Sequence, residues 1–367
     1  MHLIHLSHAP NATDGGIASA VAELVAAQQK TGMHATWLTA DRYPALQRDR
    51  HLQIALGSMQ PSLAHLHGLW RSPTRIAPPL ARGGLPLVVA PHGMLNPMAL
   101  AHSRWKKRLV WHLWEERALR SAHCLHALCP AEATSIRALL PDKPIAVIPN
   151  GVAMPLLAKA EDTETPQAAL PWQGVIPSDQ QILLFLGRFH SGKGITPLLQ
   201  AWEAVATEAE RQGWWLVLVG YGDGGALERQ LQTSPVPRCM AFGPVFGRAK
   251  QAVLASAGAF VLPSHFEALP MAALEAMTYG LPCLLSSACN LPQAFTKSAA
   301  LRAEPNPEPL ALALKQLIGL SQSARIAMGQ SGRALVAQNY SWPTIAAQTD
   351  ELYDWILKGG AFPSFVF

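Results

Sequence analysis

Two runs of alternating strand-like and helix-like segments, separated by one irregular stretch, constrain the fold of this chain most strongly. The first run occupies residues 1–150, and the second restarts near residue 181. Alternation of this kind is typical of parallel, doubly wound sheets. The stretch at 153–180 has no period and is rich in proline, alanine and polar residues, as linkers are. The sequence therefore predicts two α/β domains.

The predicted domain bounds follow from the positions where the alternation lapses. We expect an N-terminal Rossmann-like domain over residues 1–160, a linker over 161–180 and a C-terminal Rossmann-like domain over 181–341. The amphipathic segment at about 342–367 is expected to join the N-terminal domain. Ligands of open α/β sheets bind outside the carboxyl ends of the strands, so two such domains facing across a cleft would hold a ligand between them.

The composition fits a globular protein with large buried sheets. Hydrophobic residues make up 49% of the 367 residues and charged residues 14%, which is the opposite of the balance that disorder needs. The basic residues behind the net charge of +5 are scattered without a nucleic-acid motif, so we expect no nucleic-acid partner. The five cysteines form no C-x-x-C pair and are expected to be reduced, buried thiols. The sequence has no signal-peptide pattern and no run of about 18 apolar residues, which favours the cytoplasm.

The glycines after the first strand-like run are the first candidate ligand site. Gly15 and Gly16 lie between that run and a helical pattern, where backbone N–H groups and a helix N-terminus can approach an anion. The pattern is not G-x-G-x-x-G, which argues against a dinucleotide-binding fingerprint. A tight strand-to-helix turn without a ligand explains the glycines equally well.

Two cations follow the first strand of the second run. Arg188 ends an apolar strand, and Lys193 stands between Gly192 and Gly194 before a helix. Two positive charges five residues apart, beside glycines that allow close backbone approach, suit a diphosphate. A Walker loop is excluded because Gly194 stands where that motif needs Ser or Thr. The alternative is a solvated basic loop.

Two glutamates, Glu267 and Glu275, flank the start of a predicted helix in nearly charge-free sequence. Glu267 lies in the loop after a strand, and Pro270 suits the first turn of the helix, so we expect free backbone N–H groups over residues 268–271. A carboxylate accepts two hydrogen bonds in one plane, which matches the vicinal hydroxyls of a ribose or a hexose. Helix capping and surface solvation are the alternative.

The order of these features along the chain carries a family resemblance. The second half contains, in sequence, GRFHSGKG, LVGYGDGG, FGPV and SHFEALPMAALEAMTYGLPCLLS, and the last of these has an E-x7-E pattern. The first half contributes DGGIASAVAEL, PHGML and VIPNGV, which match more loosely. The chain resembles the retaining nucleotide-sugar glycosyltransferases of family 4. The resemblance implies the GT-B fold, in which two doubly wound Rossmann-like α/β domains face across a cleft.

In the second half, the resemblance implies a role for each candidate residue. Arg188 and Lys193 would bind the donor diphosphate. Glu275 would bind the ribose of the nucleotide, and Glu267 the hydroxyls of the transferred sugar. Leu269, at the start of the helix, would complete the donor-binding set. Ala268 departs from the family's commonest form, which has Gly after the first glutamate.

In the first half, the resemblance implies two further positions. Gly16 would lie under the diphosphate, and His92, at a strand end, would face the sugar from across the cleft. The expected catalytic set is therefore Glu267, His92, Arg188 and Lys193. The developing charge on the leaving nucleoside diphosphate would be stabilised by the two cations, which is electrostatic catalysis more than acid–base catalysis.

We expect no metal and no cofactor beside the nucleoside-diphosphate sugar, which is a co-substrate. The sequence has no D-x-D motif, since YGDGG offers a single aspartate. His65 and His67 alternate along a strand and could share a face, where a zinc pair is one interpretation. Buried or cleft-lining histidines are the favoured interpretation.

A basic, tryptophan-rich segment in residues 102–122 marks the acceptor side. Basic residues beside tryptophans on a helix are typical of proteins that lie on an anionic bilayer. An amphipathic helix packed on the sheet is an equal alternative. The residues concerned are Arg104, Trp105, Lys106, Lys107, Arg108, Trp111 and Trp114.

The sequence therefore predicts a retaining hexosyltransferase that moves a hexosyl group from a nucleoside-diphosphate sugar to a saccharide acceptor. Membrane contact through 102–122 would make that acceptor lipid-linked, in surface polysaccharide or lipopolysaccharide biosynthesis on the inner face of the plasma membrane. The alternatives are a GT-B nucleotide-sugar epimerase and a non-catalytic nucleotide-sugar-binding subunit. A dinucleotide dehydrogenase is disfavoured by the missing fingerprint.

Overall fold

The computed structural model describes residues 1–10, 16–101, 103–155 and 169–367, except for the side chain of Met98. Gly15, His102 and the first part of the predicted linker, 161–168, lie outside the described residues. The chain divides into two compact units. Unit 1 comprises Met1–Gly151 and Tyr340–Phe367, and unit 2 comprises Val152–Asn339.

The described residues form two all-parallel sheets flanked by helices. The strands are β1 (His2–Ser7), β2 (His34–Thr39), β3 (Leu63–His67), β4 (Leu87–Ala90), β5 (Cys124–Ala127), β6 (Ile145–Val147), β7 (Gln181–Arg188), β8 (Trp214–Tyr221), β9 (Cys239–Phe242), β10 (Ala259–Leu262), β11 (Cys283–Leu285) and β12 (Ala300–Arg302).

The helices follow the strands in alternation. They are α1 (Gly16–Lys30), α2 (Arg48–Met59), α3 (Ser72–Arg75), α4 (Ala77–Arg82), α5 (Pro97–Ala101), α6 (Arg104–Val110), α7 (Glu116–Ser121), α8 (Pro130–Leu139), α9 (Ile195–Arg211), α10 (Ala226–Thr233), α11 (Gly247–Ser256), α12 (Met271–Thr278), α13 (Pro292–Thr296), α14 (Pro307–Ile318), α15 (Gln322–Asn339) and α16 (Trp342–Lys358).

The strand order identifies each unit as a doubly wound domain. Unit 1 has the order β2-β1-β3-β4-β5-β6, and unit 2 has the order β12-β11-β10-β7-β8-β9. This confirms the predicted α/β fold of two Rossmann-like sheets.

The strands are continuous apolar runs because helices cover both faces of each sheet. In β4 the four residues of Leu87–Ala90 have no measurable exposure. Polar side chains are therefore conspicuous where they occur inside unit 1. His5, His65, His67 and His126 all lie on strands and are buried.

The C-terminal segment belongs to unit 1. Helix α16 packs against α1 in one apolar cluster that also holds residues of β1 and β3. Trp342 lies so close to Gly151 that a Cβ there would be 2.5 Å from the indole ring. Beyond α16, Val366 pairs antiparallel with Ala146 of β6. The helix thus closes the face of the sheet on which α1 lies.

Candidate active site

In unit 2, two loops meet at the carboxyl ends of the neighbouring strands β7 and β10. These strands pair in parallel, with Ala259 opposite Leu183. The loop after β7 carries Lys193, and the loop after β10 carries Glu267. The backbone joins the loops, since the N–H of His265 donates to the carbonyl of Gly192 at 2.8 Å. Parallel pairing therefore brings together residues that are 74 positions apart in the chain.

Lys193 and Glu267 form a partly buried ion pair. Lys193 Nζ lies 2.5 Å from Glu267 Oε1, and the two side chains are 27% and 10% exposed. Ser264 Oγ donates to the same oxygen at 2.6 Å. No N–H or O–H group of the described residues donates a hydrogen bond to Glu267 Oε2. The carboxylate is thus oriented through one oxygen and has the other available for a ligand hydroxyl.

Gly194 makes this arrangement possible. Its φ is +69°, and a Cβ at this position would lie 1.9 Å from the carbonyl oxygen of Pro263. Any other residue would push the loop that carries Lys193 away from the end of β10. Glycine is needed here for close backbone approach as well as for conformation.

Arg188 provides an uncompensated positive charge on the same edge of the sheet. It ends β7 and is exposed. Its guanidinium carbon lies 5.7 Å from the centre of the Tyr221 ring. In the described ranges, no carboxylate lies within ion-pair distance of it. An anion is the partner that this position suits.

The start of α12 differs in detail from the prediction of free N–H groups over 268–271. Pro270 has no N–H, and the N–H of Met271 donates to the carbonyl of Leu269 at 3.0 Å. For Ala268 and Leu269, no backbone acceptor occurs in the described part of the chain. Two backbone N–H groups without a backbone acceptor in the described ranges therefore follow Glu267, and both belong to non-helical residues just before the helix.

Glu275 has a cationic partner that sequence analysis missed. Lys250 Nζ, on α11, lies 2.6 Å from Glu275 Oε1, and both side chains are about 30% exposed. Lys250 belongs to no motif, so nothing in the sequence singles it out. The pairing leaves Glu275 at the surface with its charge balanced, while it can still accept from a ribose hydroxyl.

The single aspartate of YGDGG has a structural role. Asp223 Oδ2 accepts from the N–H of Leu227 at 2.7 Å, and Asp223 Oδ1 accepts from the N–H of Gly225 at 3.1 Å. Both bonds satisfy donors at the start of α10, as N-terminal capping does.

In unit 1, a small cavity of about 90 Å³ lies at the carboxyl ends of β1 and β3, and Ile17, His67 and Met94 are among its lining residues. Gly16 begins α1 beside Ile17 and is exposed. Among the described residues, no atom lies within 4 Å of the position that a Cβ on Gly16 would take.

His92 lies after β4, with its backbone in the left-handed region at φ +53°. Its Nε2 is 3.0 Å from Nδ1 of His67. Burial lowers the pKa of His92 to about 3, and His126 adds to the effect. The imidazole is therefore neutral near pH 7, where it can orient a hydroxyl but cannot act as an acid.

His92 is one member of a cluster of five histidines. Burial lowers the pKa of His5 and of His126 to about 4, and it lowers the pKa of His65 and of His67 well below the usual value. One ring nitrogen from each of His5, His65 and His67 lies within 4.8 Å of the others, as metal ligands can. Every ring nitrogen of those three already has a protein partner, which favours buried histidines over a zinc site.

Two family models match the chain. Residues 46–151 match the model described as "Glycosyl transferase 4-like domain", and residues 166–334 match "Glycosyl transferases group 1". The matches cover most of both units. The chain belongs to the family 4-like glycosyltransferases.

Relatives of this glycosyltransferase include a D-inositol 3-phosphate glycosyltransferase of Thermobispora bispora, 27% identical over 76% of this chain and 67% of the relative. O-antigen chain mannosyltransferase B of Escherichia coli is 27% identical over 50% of this chain and 46% of the relative. The chain spans about half to two thirds of the length of the curated relatives it matches.

A solved structure, Anabaena Alr3699/HepE in complex with UDP-glucose, resembles the glycosyltransferase in fold. The TM-score is 0.73 at 16% identity, and the match covers 96% of this chain and 99% of that one. At this identity the likeness concerns the fold alone.

The basic, tryptophan-rich segment is helical but interrupted. A π-helical turn, Trp111–Glu115, separates α6 from α7. Glu115 turns inward, is fully buried and accepts from the N–H of Trp70 at 2.9 Å. Burial raises the pKa of Glu115 to about 7. Glu115 is therefore absent from the outer face, whereas the neighbouring Glu116 is part-exposed and pairs with Arg120.

The outer face of α6, continued by the π-helical turn, carries apolar and basic side chains together. Trp105 is 69% exposed, and Leu109 and Leu113 are 54% and 56% exposed. Lys107 differs from the predicted arrangement of basic residues on a bilayer-facing side, since its Nζ donates a hydrogen bond to the carbonyl of Ala99. Trp111 packs against the core of unit 1. The exposed basic residues beside the apolar ones are Arg104, Lys106, Arg108 and His112.

None of the helices in the described ranges is long and apolar enough to span a membrane.

Proposed function

We propose that this glycosyltransferase moves a hexosyl group from a nucleoside-diphosphate sugar to a saccharide acceptor, with retention of anomeric configuration. The observation that carries the proposal is the oriented Lys193–Glu267 pair beside the uncompensated Arg188. An ammonium group has three donor positions, so Lys193 can hold Glu267 and still donate to a phosphate oxygen.

The charges of this edge fit the leaving group of the reaction. Breaking the bond between sugar and diphosphate places negative charge on the diphosphate. Arg188 and Lys193 are fixed before the reaction begins, so they stabilise that charge without reorganising. Glu267 Oε2 accepts from a hydroxyl of the sugar, and Glu275 from a hydroxyl of the ribose. The acceptor hydroxyl then attacks on the face that the diphosphate leaves, and its proton passes to the departing phosphate oxygen.

The names of the compared proteins support a nucleotide-sugar donor and a polysaccharide product. One structure with the same fold contains UDP-glucose, and one relative is named an O-antigen chain mannosyltransferase. We therefore propose a hexose donor and a growing surface saccharide as acceptor, without cofactor or metal.

The outer face of α6 supports a lipid-linked acceptor. Exposed Trp105, Leu109 and Leu113 next to exposed basic residues match the composition of interfacial helices on anionic bilayers. We propose that this face holds the enzyme on the cytoplasmic membrane surface, where a lipid-linked saccharide is available.

Thermal unfolding in the presence of nucleotides tests the donor assignment. UDP, GDP, ADP and their hexose conjugates are added singly, and we expect one base to raise the unfolding temperature, because a ligand that binds only the folded state stabilises it. No shift with any of them would contradict the proposal.

Incubation of the stabilising sugar nucleotide with the enzyme then separates the alternatives. Slow hydrolysis of the donor without acceptor is expected of a transferase. Epimerised donor would indicate an epimerase, and unchanged donor would indicate a non-catalytic binding subunit.

A further inference from the structure

The histidine cluster of unit 1 is organised as two linear chains of hydrogen bonds. In the first, His92 Nε2 meets His67 Nδ1 at 3.0 Å, and His67 Nε2 meets His5 Nδ1 at 3.0 Å. His5 Nε2 then meets Gln28 Oε1 at 2.8 Å, and Gln28 Nε2 donates to Asp350 Oδ1 at 2.8 Å. This chain of hydrogen bonds thus runs from the loop after β4 through β3 and β1 to the helices α1 and α16.

In this first chain of hydrogen bonds, the carboxylate of Asp350 at one end determines which atom donates and which accepts in every bond. An ionised carboxylate only accepts, so Asp350 requires the amide of Gln28 to turn its NH₂ group toward it. Gln28 Oε1 then faces His5 and only accepts, so the proton of His5 is on Nε2. A neutral imidazole carries one proton, which leaves Nδ1 of His5 as an acceptor.

The same reasoning passes through the next two rings. His5 Nδ1 accepts, so His67 donates from Nε2 and accepts at Nδ1. His92 must then donate from Nε2, which leaves its Nδ1 as a lone-pair acceptor. Neutral imidazoles are required at each step, and the lowered pKa values of all three rings meet this requirement.

We propose that Gln28 and Asp350 are positioning residues that fix the tautomer of His92, so that His92 presents Nδ1 as a hydrogen-bond acceptor. The two residues lie on α1 and α16, beyond two intervening rings. Acceptance of a donor-sugar hydroxyl by His92 Nδ1 rests on the proposed function, whereas the tautomer itself does not.

The second chain provides an internal control. His126 Nε2 donates to the carbonyl of Ile148 at 2.6 Å, and His126 Nδ1 meets His65 Nε2 at 3.2 Å. His65 Nδ1 accepts from the hydroxyl of Tyr353 at 2.7 Å. The carbonyl of Ile148 sets the direction of this second chain from the His126 end. At its other end the Tyr353 hydroxyl is also a hydrogen-bond partner of the Gln28 side chain, so the tautomer of His126 serves as the control.

Nitrogen-15 NMR of histidine-labelled enzyme tests the proposal, because protonated and unprotonated ring nitrogens have distinct shifts. Signals are assigned with single histidine substitutions. In the native protein we expect Nε2–H and an unprotonated Nδ1 at His92. A protonated Nδ1 at His92, an imidazolium, or a metal ion retained on the three clustered histidines would overturn the proposal.

Gln28→Lys replaces the acceptor by a donor that Asp350 can neutralise. The first chain should then reverse and protonate His92 at Nδ1, while His126 keeps its proton on Nε2. Folded Gln28→Lys protein in which His92 is unchanged would overturn the proposal. Gln28→Met, which offers neither donor nor acceptor, serves if the lysine variant does not fold. It should show a second, Nδ1-protonated population of His92, and its absence would count equally against the proposal.

Sugar transfer by the same variants connects the tautomer to activity. We expect Gln28→Lys to slow transfer about tenfold, as for the loss of one hydrogen bond worth about 1.4 kcal/mol. Nucleotide affinity, to which Arg188, Lys193 and Glu275 of unit 2 are proposed to contribute, should be unchanged. If native enzyme has the expected tautomer of His92 but transfers no sugar, only the proposed function is refuted. If it transfers sugar but His92 has the other tautomer, only this inference is refuted.

Discussion

At the scale of single residues, the Lys193–Glu267 pair would join the two requirements of the proposed sugar transfer in one contact. In that proposal, Lys193 contributes a cation for the diphosphate, and Glu267 contributes a carboxylate oxygen for the sugar. Ser264 and the pair itself fix Glu267 Oε1, which leaves the orientation of Oε2 determined before a ligand arrives. Preorganisation of this kind makes charged groups effective in catalysis.

Lys193→Ala should weaken binding of the nucleoside diphosphate about 10- to 100-fold, the size expected for a hydrogen bond between charged groups. Glu267→Gln should leave nucleotide affinity within about threefold and slow transfer about 100-fold, as for removal of one oriented group that acts on the transition state. Calorimetry and a transfer assay measure the two effects. The exposed Lys315 on α14 offers a matched control, Lys315→Ala. Equal losses of nucleotide affinity in both lysine variants would contradict the assignment.

Sequence analysis singled out the candidate charged residues but not the side chains that pair with them. Arg188, Lys193, Glu267 and Glu275 stand out because charge is rare around them. Lys250 does not stand out, yet it neutralises Glu275. No local sequence pattern marks Lys250 as the partner of Glu275, because the sheet beneath α11 and α12 sets the distance between the two helices.

At the scale of elements, the segment from α6 to α7 shows that composition alone does not tell which side chains face solvent and which face the protein. The sequence places basic, aromatic and acidic residues side by side. The structure buries Glu115, turns Lys107 toward Ala99 and leaves Trp105 outside. Periodicity alone could not assign these faces, because the π-helical turn at Trp111–Glu115 shifts the phase of the helix.

Replacing Arg104, Lys106 and Arg108 with Ser should reduce sedimentation with anionic vesicles, since each basic residue near an anionic surface contributes about 1 kcal/mol. Trp105→Ala should reduce it further. Lys107→Ser is the matched control and should bind nearly as the native enzyme does, because Lys107 faces the protein. A loss with Lys107→Ser equal to that of the triple variant, or no loss in either, would refute the proposed membrane face.

At the scale of the whole molecule, the two units should respond differently to acid. In unit 1, the pKa of His5 and of His126 is about 4 in the folded state, against 6.5 without burial. The unfolded chain therefore binds more protons between these values. The stability from these histidines is full above about pH 6.5 and is lost as pH falls toward 4. Glu115, whose pKa is raised to about 7, opposes this trend by favouring the folded state at low pH. The combined effect of the five histidines on the pH dependence of stability is larger than the effect of Glu115.

Hydrogen exchange measured by mass spectrometry near pH 7 and near pH 5, after correction for the intrinsic rates, checks this difference. We expect protection of β1 and β3 to fall at the lower pH more than protection of β7 and β8. His126→Gln should reduce the pH dependence in unit 1, whereas the exposed His34→Gln should not. A larger loss of protection in unit 2 would contradict the expected effect of the buried histidines.

The sequence by itself determined the fold class and the identity of most candidate residues. Apolar runs and helical periods are local properties, so twice-repeated alternation was enough to predict two doubly wound sheets. The tertiary structure alone decided which residues meet. Strand order places β3 beside β1 and β10 beside β7, and no local pattern encodes that order. The linked histidines, the Lys193–Glu267 pair and the Lys250–Glu275 pair all depend on packing between elements distant in the chain. Burial then decided the protonation of the histidines, because desolvation is a property of the folded interior.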